Sequence, residues 1–338
     1  MLNLQLERKR PEHMQGTGNR CCVIGGAGFL GSHVTRLLAA SGRDVVVFGR
    51  RKASEVALPL NVDYVSGDYS DRNQIKDLLA EASEIVDLAY LTVPKTSFAD
   101  PVYDILANLP ASVGLLLEAA ARPRRKIVLV SSGGTVYGVA ARLPIPEDHP
   151  KRPVSPYGIT KLAIEHYAWM FHHVSNLPVV VARPANAYGE EQRAQSGQGF
   201  IAAAMHCITT GREIDVYGPA GTVRDYVHVS DIAAGIVAAL EQGAPGEAYN
   251  IGTAVGHSNL DILRLLEPLA LGAGLKMQAR FLPPRHFDVP ANVLDSSKLA
   301  AASGWRPAVA LPEGIERTWR AVLARARGHA PAGMLATN

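Results

Sequence analysis

The 338-residue sequence predicts an α/β chain built on a parallel, doubly wound sheet, followed by a smaller C-terminal α/β lobe. Three observations carry this expectation. Short β-branched runs alternate with amphipathic stretches from Arg20 onward, those runs are apolar almost without a break, and the first strand-to-helix turn holds three glycines. An apolar fraction of 47% supplies the material for a core of that size.

Taken in order, Cys22–Ile24, Val45–Phe48, Ile85–Leu88, Ile127–Val130 and Val179–Ala182 read as strands, apolar on both faces and therefore covered by helices on both. Between them, Phe29–Ala40 has apolar residues at 30, 34, 37 and 38, and Leu162–Val174 has them at 163, 167, 170, 171 and 174. Both spacings are helical. Past Asn186 the connections gain Gly, Pro and Gln and the elements shorten, which suits a smaller lobe. The expected organisation is a flexible extension over 1–18, a first domain over 19–185 to which parts of 215–255 return, the lobe over 186–325, and a fraying tail over 326–338.

The bulk numbers narrow the function. A net charge of +3, with 34 Lys and Arg against 31 Asp and Glu spread along the chain, gives no electrostatic basis for a nucleic-acid groove. Three cysteines, two of them adjacent at 21 and 22, make no disulfide framework and point to a reducing, cytoplasmic setting. No apolar run approaches the roughly 20 residues that span a bilayer, and the polar start lacks the apolar centre of a secretion signal, so no membrane association is expected. His166, His172 and His173 lack the two-ligand-plus-acid spacing of a zinc site, so no metal is expected. Ser131 and Ser132 lie outside any Gly-x-Ser-x-Gly elbow, which removes the hydrolase reading.

The turn Gly25-Gly26-Ala27-Gly28-Phe29-Leu30-Gly31 follows a strand and opens a helix. Such a triplet also fits a plain turn, but this context selects dinucleotide binding of the Rossmann type. Gly25 permits the tight turn, Gly28 the approach of a pyrophosphate, and Gly31 close packing of helix on strand, with the helix N-terminus facing the phosphates. At the end of the second strand, where a carboxylate would read the ribose of NAD, stands Gly49-Arg50-Arg51. Two guanidinium groups suit the 2′-phosphate of NADP, although the same residues fit a solvated charged turn. The cofactor is NAD or NADP, with a lean to NADP.

In Ser155-Pro156-Tyr157-Gly158-Ile159-Thr160-Lys161, Ser155 is placed to cap a helix, proline takes its first position, and Tyr157 and Lys161 share one face. A phenol of pKa about 10 is a weak base near neutrality, but an adjacent ammonium and a cationic nicotinamide ring both favour phenolate. Tyr157 could then take a proton from a hydroxyl as hydride leaves its carbon. The spacing alone fits a surface Tyr/Lys pair equally well.

Position decides between them. The pair follows the glycine turn by about 125 residues and is preceded by Val130-Ser131-Ser132-Gly133-Gly134-Thr135-Val136-Tyr137-Gly138. With RPANAYG at 183–189, RDYVHVSD at 224–231, YNIG at 249–252 and GWRP at 304–307, the chain from about Arg20 to Trp319 resembles the extended short-chain dehydrogenase/reductases, in the branch of sugar-nucleotide epimerases and dehydratases. The resemblance implies Tyr157 and Lys161 as catalytic residues. It places Phe29, Leu30, Asp68, Leu88, Ala89, Tyr90, Ser131 and Pro184 against a tightly held cofactor. It assigns Asn186, Arg224, Arg285 and Asp288 to the diphosphate and ribose of a nucleotide sugar. Arginines at 224 and 285 suit a diphosphate, and they equally suit structural salt bridges. The helices near Val102–Ala121 and Tyr157–Val174 resemble those of a four-helix homodimer interface, with Pro110 interrupting the first.

One position breaks the pattern. Where the resembled epimerases carry a Ser or Thr that bonds the reacting hydroxyl, this chain has Gly133, so Ser132, Thr135 or a water takes that role or the chemistry differs. The Asp-Glu pair of the dehydratases is replaced by Gly134-Thr135. The expectation is therefore a redox-neutral nucleotide-sugar epimerase. An NADPH-dependent keto-sugar reductase and a catalytically silent dinucleotide sensor are the alternatives.

Overall fold

A computed structural model describes residues 20–121, 125–193, 199–285 and 288–328. The extension expected over 1–18 and the end of the expected tail lie outside the described residues. Six strands, β1 (Arg20–Ile24), β2 (Asp44–Gly49), β3 (Val62–Ser66), β4 (Glu84–Asp87), β5 (Lys126–Val130) and β6 (Val179–Pro184), alternate with helices α1 (Phe29–Ala40), α2 (Arg72–Leu78), α3 (Pro94–Ala99), α4 (Pro101–Ala120) and α5 (Pro156–Ser175). The C-terminal part adds β7 (Asn186–Tyr188), α6 (Phe200–Thr210), β8 (Ile214–Tyr217), β9 (Val223–Arg224), β10 (Tyr226–His228), α7 (Val229–Gln242) and β11 (Ala248–Ile251). After these come β12 (His257–Ser258), α8 (Asn259–Gly272), β13 (Ala279–Leu282), β14 (Ala291–Asn292), α9 (Ser297–Ser303) and α10 (Leu311–Ala326).

The main sheet has seven strands in the order β11-β6-β5-β4-β1-β2-β3, every pair parallel. The chain winds outward from β1 in one direction as far as β3 and then crosses to β4 on the other side. The crevice for a ligand therefore opens at the carboxyl ends of β1 and β4. Strand pleat explains both covers. Cys21, Val23, Val45, Val47, Val128 and Val180 face Val34 and Leu38 of α1 and Ile232, Ile236 and Leu240 of α7. The alternate residues Cys22, Ile24, Val46, Ile127, Leu129 and Val179 face Ile75, Leu115, Leu116, Ile164, Ala168 and Phe171 of α2, α4 and α5.

A separate core of Ile201, Met205, Ile214, Val216, Ile262, Leu266, Ile315 and Trp319 joins α6, α8 and α10 to β8. The strand expected over Ile85–Leu88 ends at Asp87, with the Leu88 amide still bonded to the Ile24 carbonyl at 2.9 Å. Strands β3 and β11 fall outside the expected set: VDYVS carries an Asp in its middle, and AYNI is only four residues. Helix α4 runs through Pro110 as one helix, where an interruption was expected, and, against the reading that no apolar run approaches that length, its 20 residues with mean hydropathy 1.3 are long and apolar enough to cross a membrane by length and composition alone, with 39% of the apolar window buried inside the fold.

Candidate active site

The crevice is floored by the glycine turn. Gly25 takes φ +78°, a left-handed conformation, and donates its amide to the Phe48 carbonyl at 2.8 Å. A Cβ on Gly31 would lie 2.2 Å from the Gly25 carbonyl oxygen and 2.7 Å from Gly26 Cα, so helix α1 sits directly against the turn. Gly28 is its N-cap and offers no side chain, which leaves the first amides of a 12-residue helix facing the crevice, where a pyrophosphate fits. The Leu88 carbonyl carbon and Ala89 amide lie 3.2 Å from a Cβ placed on Gly25, so the segment after β4 walls the same turn.

At the far end of this floor, Arg50 and Arg51 are both exposed, and the Arg51 guanidinium donates to the Ala27 carbonyl of the turn. Tyr64 of β3 fixes the Arg51 backbone by donating its hydroxyl to the Arg51 carbonyl at 2.9 Å. Asp68, exposed nearby, accepts from the Ser70 amide at 2.9 Å and the Ser70 hydroxyl at 2.8 Å; these bonds, with Arg50 contributing, hold its carboxyl below the usual range. Ser131, also expected at the cofactor, follows directly on β5 and directs its buried hydroxyl to Glu165 of α5 and its amide to the Ala182 carbonyl.

Helix α5 starts as its sequence dictates, with Pro156 first and the Ser155 hydroxyl accepting the Gly158 amide at 3.1 Å. That start sets Tyr157 against the ring of Tyr90, edge to face at 4.8 Å between centroids, and places the Ser132 hydroxyl close enough to act on the phenol. Lys161 donates to the Val130 carbonyl at 2.8 Å, lies 4.1 Å above the Tyr90 ring, and is 5.9 Å from the Tyr157 ring centre. Burial pushes the Lys161 ammonium down to about 8, against the opposing pull of Asp87, Glu165 and Asp104. Burial, and next the Asp104 carboxylate, push the Tyr157 phenol well above its ordinary value, with Ser132 acting the other way. The protein's own groups thus favour the protonated phenol, whereas the expected phenolate rested on the Lys161 ammonium together with a cationic nicotinamide ring.

The loop after β5 places its two hydroxyls differently. Ser132 lies close enough to act on Tyr157, and the Thr135 hydroxyl is buried with no hydrogen-bond partner among the described residues. A Cβ on Gly133 would lie 2.4 Å from a Leu294 methyl and 2.9 Å from the Arg183 carbonyl oxygen, so the leucine fills the place where a side chain at 133 would go. Pro184 is buried at the end of β6 and accepts the Gly133 amide at 3.0 Å. Asn186 carries its side-chain oxygen to within 3.4 Å of a Cβ on Gly134. These residues share one wall.

The expected diphosphate grip is differently arranged. Arg285 and Asp288 pair with each other through two bonds of 2.8 and 3.0 Å, and Arg285 stacks 4.1 Å over Tyr217. Arg224 donates to the Val223 carbonyl at 2.8 Å; burial lowers its pKa, with Arg285 and Asp288 both within electrostatic reach. Sequence reasoning passed over a further group of buried polar residues: Asp104, Asn108 and Ser112 on α4 and Thr160 and Glu165 on α5. The signal was present, since 104, 108 and 112 repeat at helical spacing on an otherwise apolar helix.

Comparison with known proteins agrees with this geometry. The NAD dependent epimerase/dehydratase family matches residues 21–252. The chain is 34% identical over 307 residues to a UDP-glucose 4-epimerase of Mycolicibacterium smegmatis, covering 88% of this chain and 97% of that one. Its structure is similar to that of the UDP-glucose 4-epimerase of Thermotoga maritima with UDP-glucose, with TM-score 0.84, 30% identity and coverage of 90% and 99%. It is also similar to the UDP-glucose 4-epimerase of Thermus thermophilus in complex with NAD, with TM-score 0.81, 32% identity and the same coverage. A doubly wound sheet, a glycine turn under an open helix end, and a Tyr157–Lys161 pair beside it, matched over well more than half the chain, show that this protein belongs to the NAD-dependent epimerase/dehydratase family.

Proposed function

We propose that this protein is an NAD(P)-dependent epimerase of a UDP-hexose, inverting a ring carbon that bears a hydroxyl. The observation that carries the reading is the placement of Tyr157, set edge to face against Tyr90 and with its ring centre 5.9 Å from the Lys161 ammonium at the carboxyl end of the sheet, with Tyr90 following directly on the Leu88–Ala89 segment that walls the glycine turn. When bound, a nicotinamide dinucleotide supplies a hydride acceptor and then a hydride donor. Gly25, Gly28, Phe29, Leu30 and Gly31 would hold its pyrophosphate, Asp68 and Leu88 to Tyr90 its adenosine side and middle, and Lys161 and Pro184 its nicotinamide end. Tyr157 accepts the proton of the sugar hydroxyl and later returns it, Ser132 orients that hydroxyl, and Lys161 supplies positive charge. Asn186 and Arg224 bind the diphosphate, and Arg285 exchanges its bond to Asp288 for the nucleotide.

A direct test is incubation of the purified protein with UDP-glucose and, separately, GDP- and dTDP-hexoses, followed by NMR. The expected result is a new epimer of the UDP-sugar without added cofactor, because the cofactor ends each turnover unchanged. No conversion in any of the three, with cofactor supplied, would sink the proposal. The Arg50–Arg51 pair favours a second reading, a keto-sugar reductase, which would instead consume stoichiometric NADPH.

The same pair supports NADP over NAD. Hydrogen bonds to a charged group contribute about 1.5–3 kcal/mol, so replacing both Arg50 and Arg51 with Ala is expected to weaken NADP binding by roughly tenfold or more and NAD binding far less. Calorimetric titration of both dinucleotides reads the difference, and equal losses would remove the 2′-phosphate from the reading. A homodimer and a cytoplasmic setting complete the proposal. The exposed Val102 (64%) and Leu106 (66%) of α4, and Trp169 (58%) and Val174 (69%) of α5, support a pairing of helices between two copies.

A further inference from the structure

Asp104 is fully buried on α4, one helical turn before Asn108. Its carboxylate accepts the Thr160 hydroxyl at 2.6 Å, the Thr92 hydroxyl, and the Tyr90 hydroxyl at 3.4 Å. All three are neutral donors that an amide oxygen would satisfy equally well. A carboxylate buried among neutral donors costs more than an amide in the same place, so hydrogen bonding alone gives no reason for the charge.

The ionisable groups facing this carboxylate are those of the reaction. Tyr90, its own partner, packs edge to face with Tyr157 and lies under the Lys161 ammonium at 4.1 Å. Lys161 answers first to Asp87 of β4 and Glu165 of α5, which accept the Tyr69 hydroxyl at 2.7 Å and Arg183 at 2.6 Å, whereas the carboxylate that acts on Tyr157 is Asp104. We propose that Asp104 is a positioning residue for proton transfer, a buried carboxylate bonded to the Tyr90 that packs on Tyr157, which keeps Tyr157 protonated until a cationic nicotinamide ring lies beside it. Tyr157 would then act as a base only beside the oxidised cofactor and as an acid beside the reduced one, the alternation that a hydride abstracted and returned requires. The idea rests on the reading of Tyr157 given above.

The test is tyrosine ¹³Cζ NMR across a pH series on the NAD-loaded protein, with Tyr157→Phe identifying the signal. Neutralising the charge in Asp104→Asn is expected to move the Tyr157 midpoint down by about one pH unit, a roughly tenfold rise in phenolate at a given pH. Thr160→Val, which removes one hydrogen bond and keeps the charge, is expected to lower the melting temperature while leaving the midpoint close to wild type. An unmoved midpoint in Asp104→Asn overturns the proposal. Asp104→Ser guards against misfolding, and failure of both variants to fold assigns Asp104 to the fold and also overturns it. If the midpoint moves as expected while Tyr157→Phe retains full turnover, the role of Tyr157 as base falls and the control of its proton by Asp104 stands.

Discussion

Replacing Tyr157 with Phe is expected to lower the rate of UDP-hexose epimerisation by about 10²–10⁴-fold, the range lost when a positioned proton-transfer group is removed. The substitution deletes one oxygen and little else. The ring keeps its edge contact with Tyr90, the Tyr157 amide keeps its 3.1 Å bond to the Ser97 hydroxyl, and Lys161 keeps the Val130 carbonyl. Folding and dinucleotide affinity should therefore change little, and the loss should fall on kcat rather than on KM. Coupled-assay turnover, with calorimetric titration of the dinucleotide on the same preparation, separates the two. Turnover within a fewfold of wild type would remove the phenol from the chemistry and favour a dinucleotide sensor.

Most of what positions this tyrosine was legible in the amino-acid sequence, because it depends on local chemistry. A glycine that must adopt positive φ, a helix that begins at Ser155-Pro156, and strands apolar on both faces are written in short windows. What escaped depends on contacts between distant segments. Nothing near Ser131 shows that its hydroxyl meets Glu165, 34 residues away, or that Leu294 closes the space beside Gly133. The pairing of Arg285 with Asp288 lies at i,i+3 and is legible locally, in line with the salt bridge that the sequence left open beside a nucleotide contact. The direction of the shift at Tyr157 in the protein alone depends on distant segments for a related reason. Sequence spacing shows the ammonium four residues along, whereas the burial and the Asp104 carboxylate that push the phenol up come from other elements.

The same reasoning makes Arg183→Ala the substitution with the largest expected cost in stability, about 3–5 kcal/mol. Arg183 lies near the end of β6 inside the fold and grips both oxygens of Glu165, at 2.6 Å through one nitrogen and at 3.1 and 3.2 Å through Nε. Its remaining nitrogen donates to the Tyr137 hydroxyl at 2.9 Å; that hydroxyl donates to Asn250 Oδ1 at 2.7 Å, and the Asn250 backbone amide donates to Glu147 at 2.8 Å. Removing the guanidinium strands a carboxylate whose side chain is 7% exposed, one helical turn from Lys161, and takes from the buried Tyr137 oxygen the donor it accepts. Urea unfolding should show the full loss in Arg183→Ala. The pair Arg183→Met with Glu165→Leu should lose much less, since an apolar replacement of both partners leaves no buried charge uncompensated. If Arg183→Ala costs under about 1 kcal/mol, the range of an exposed ion pair, the network does not anchor the end of β6. With Glu165 left to the Ser131 hydroxyl alone, Lys161 should also hold its proton to higher pH than in the intact protein, where burial pushes it down to about 8, so one substitution tests the frame and the charge it holds in place.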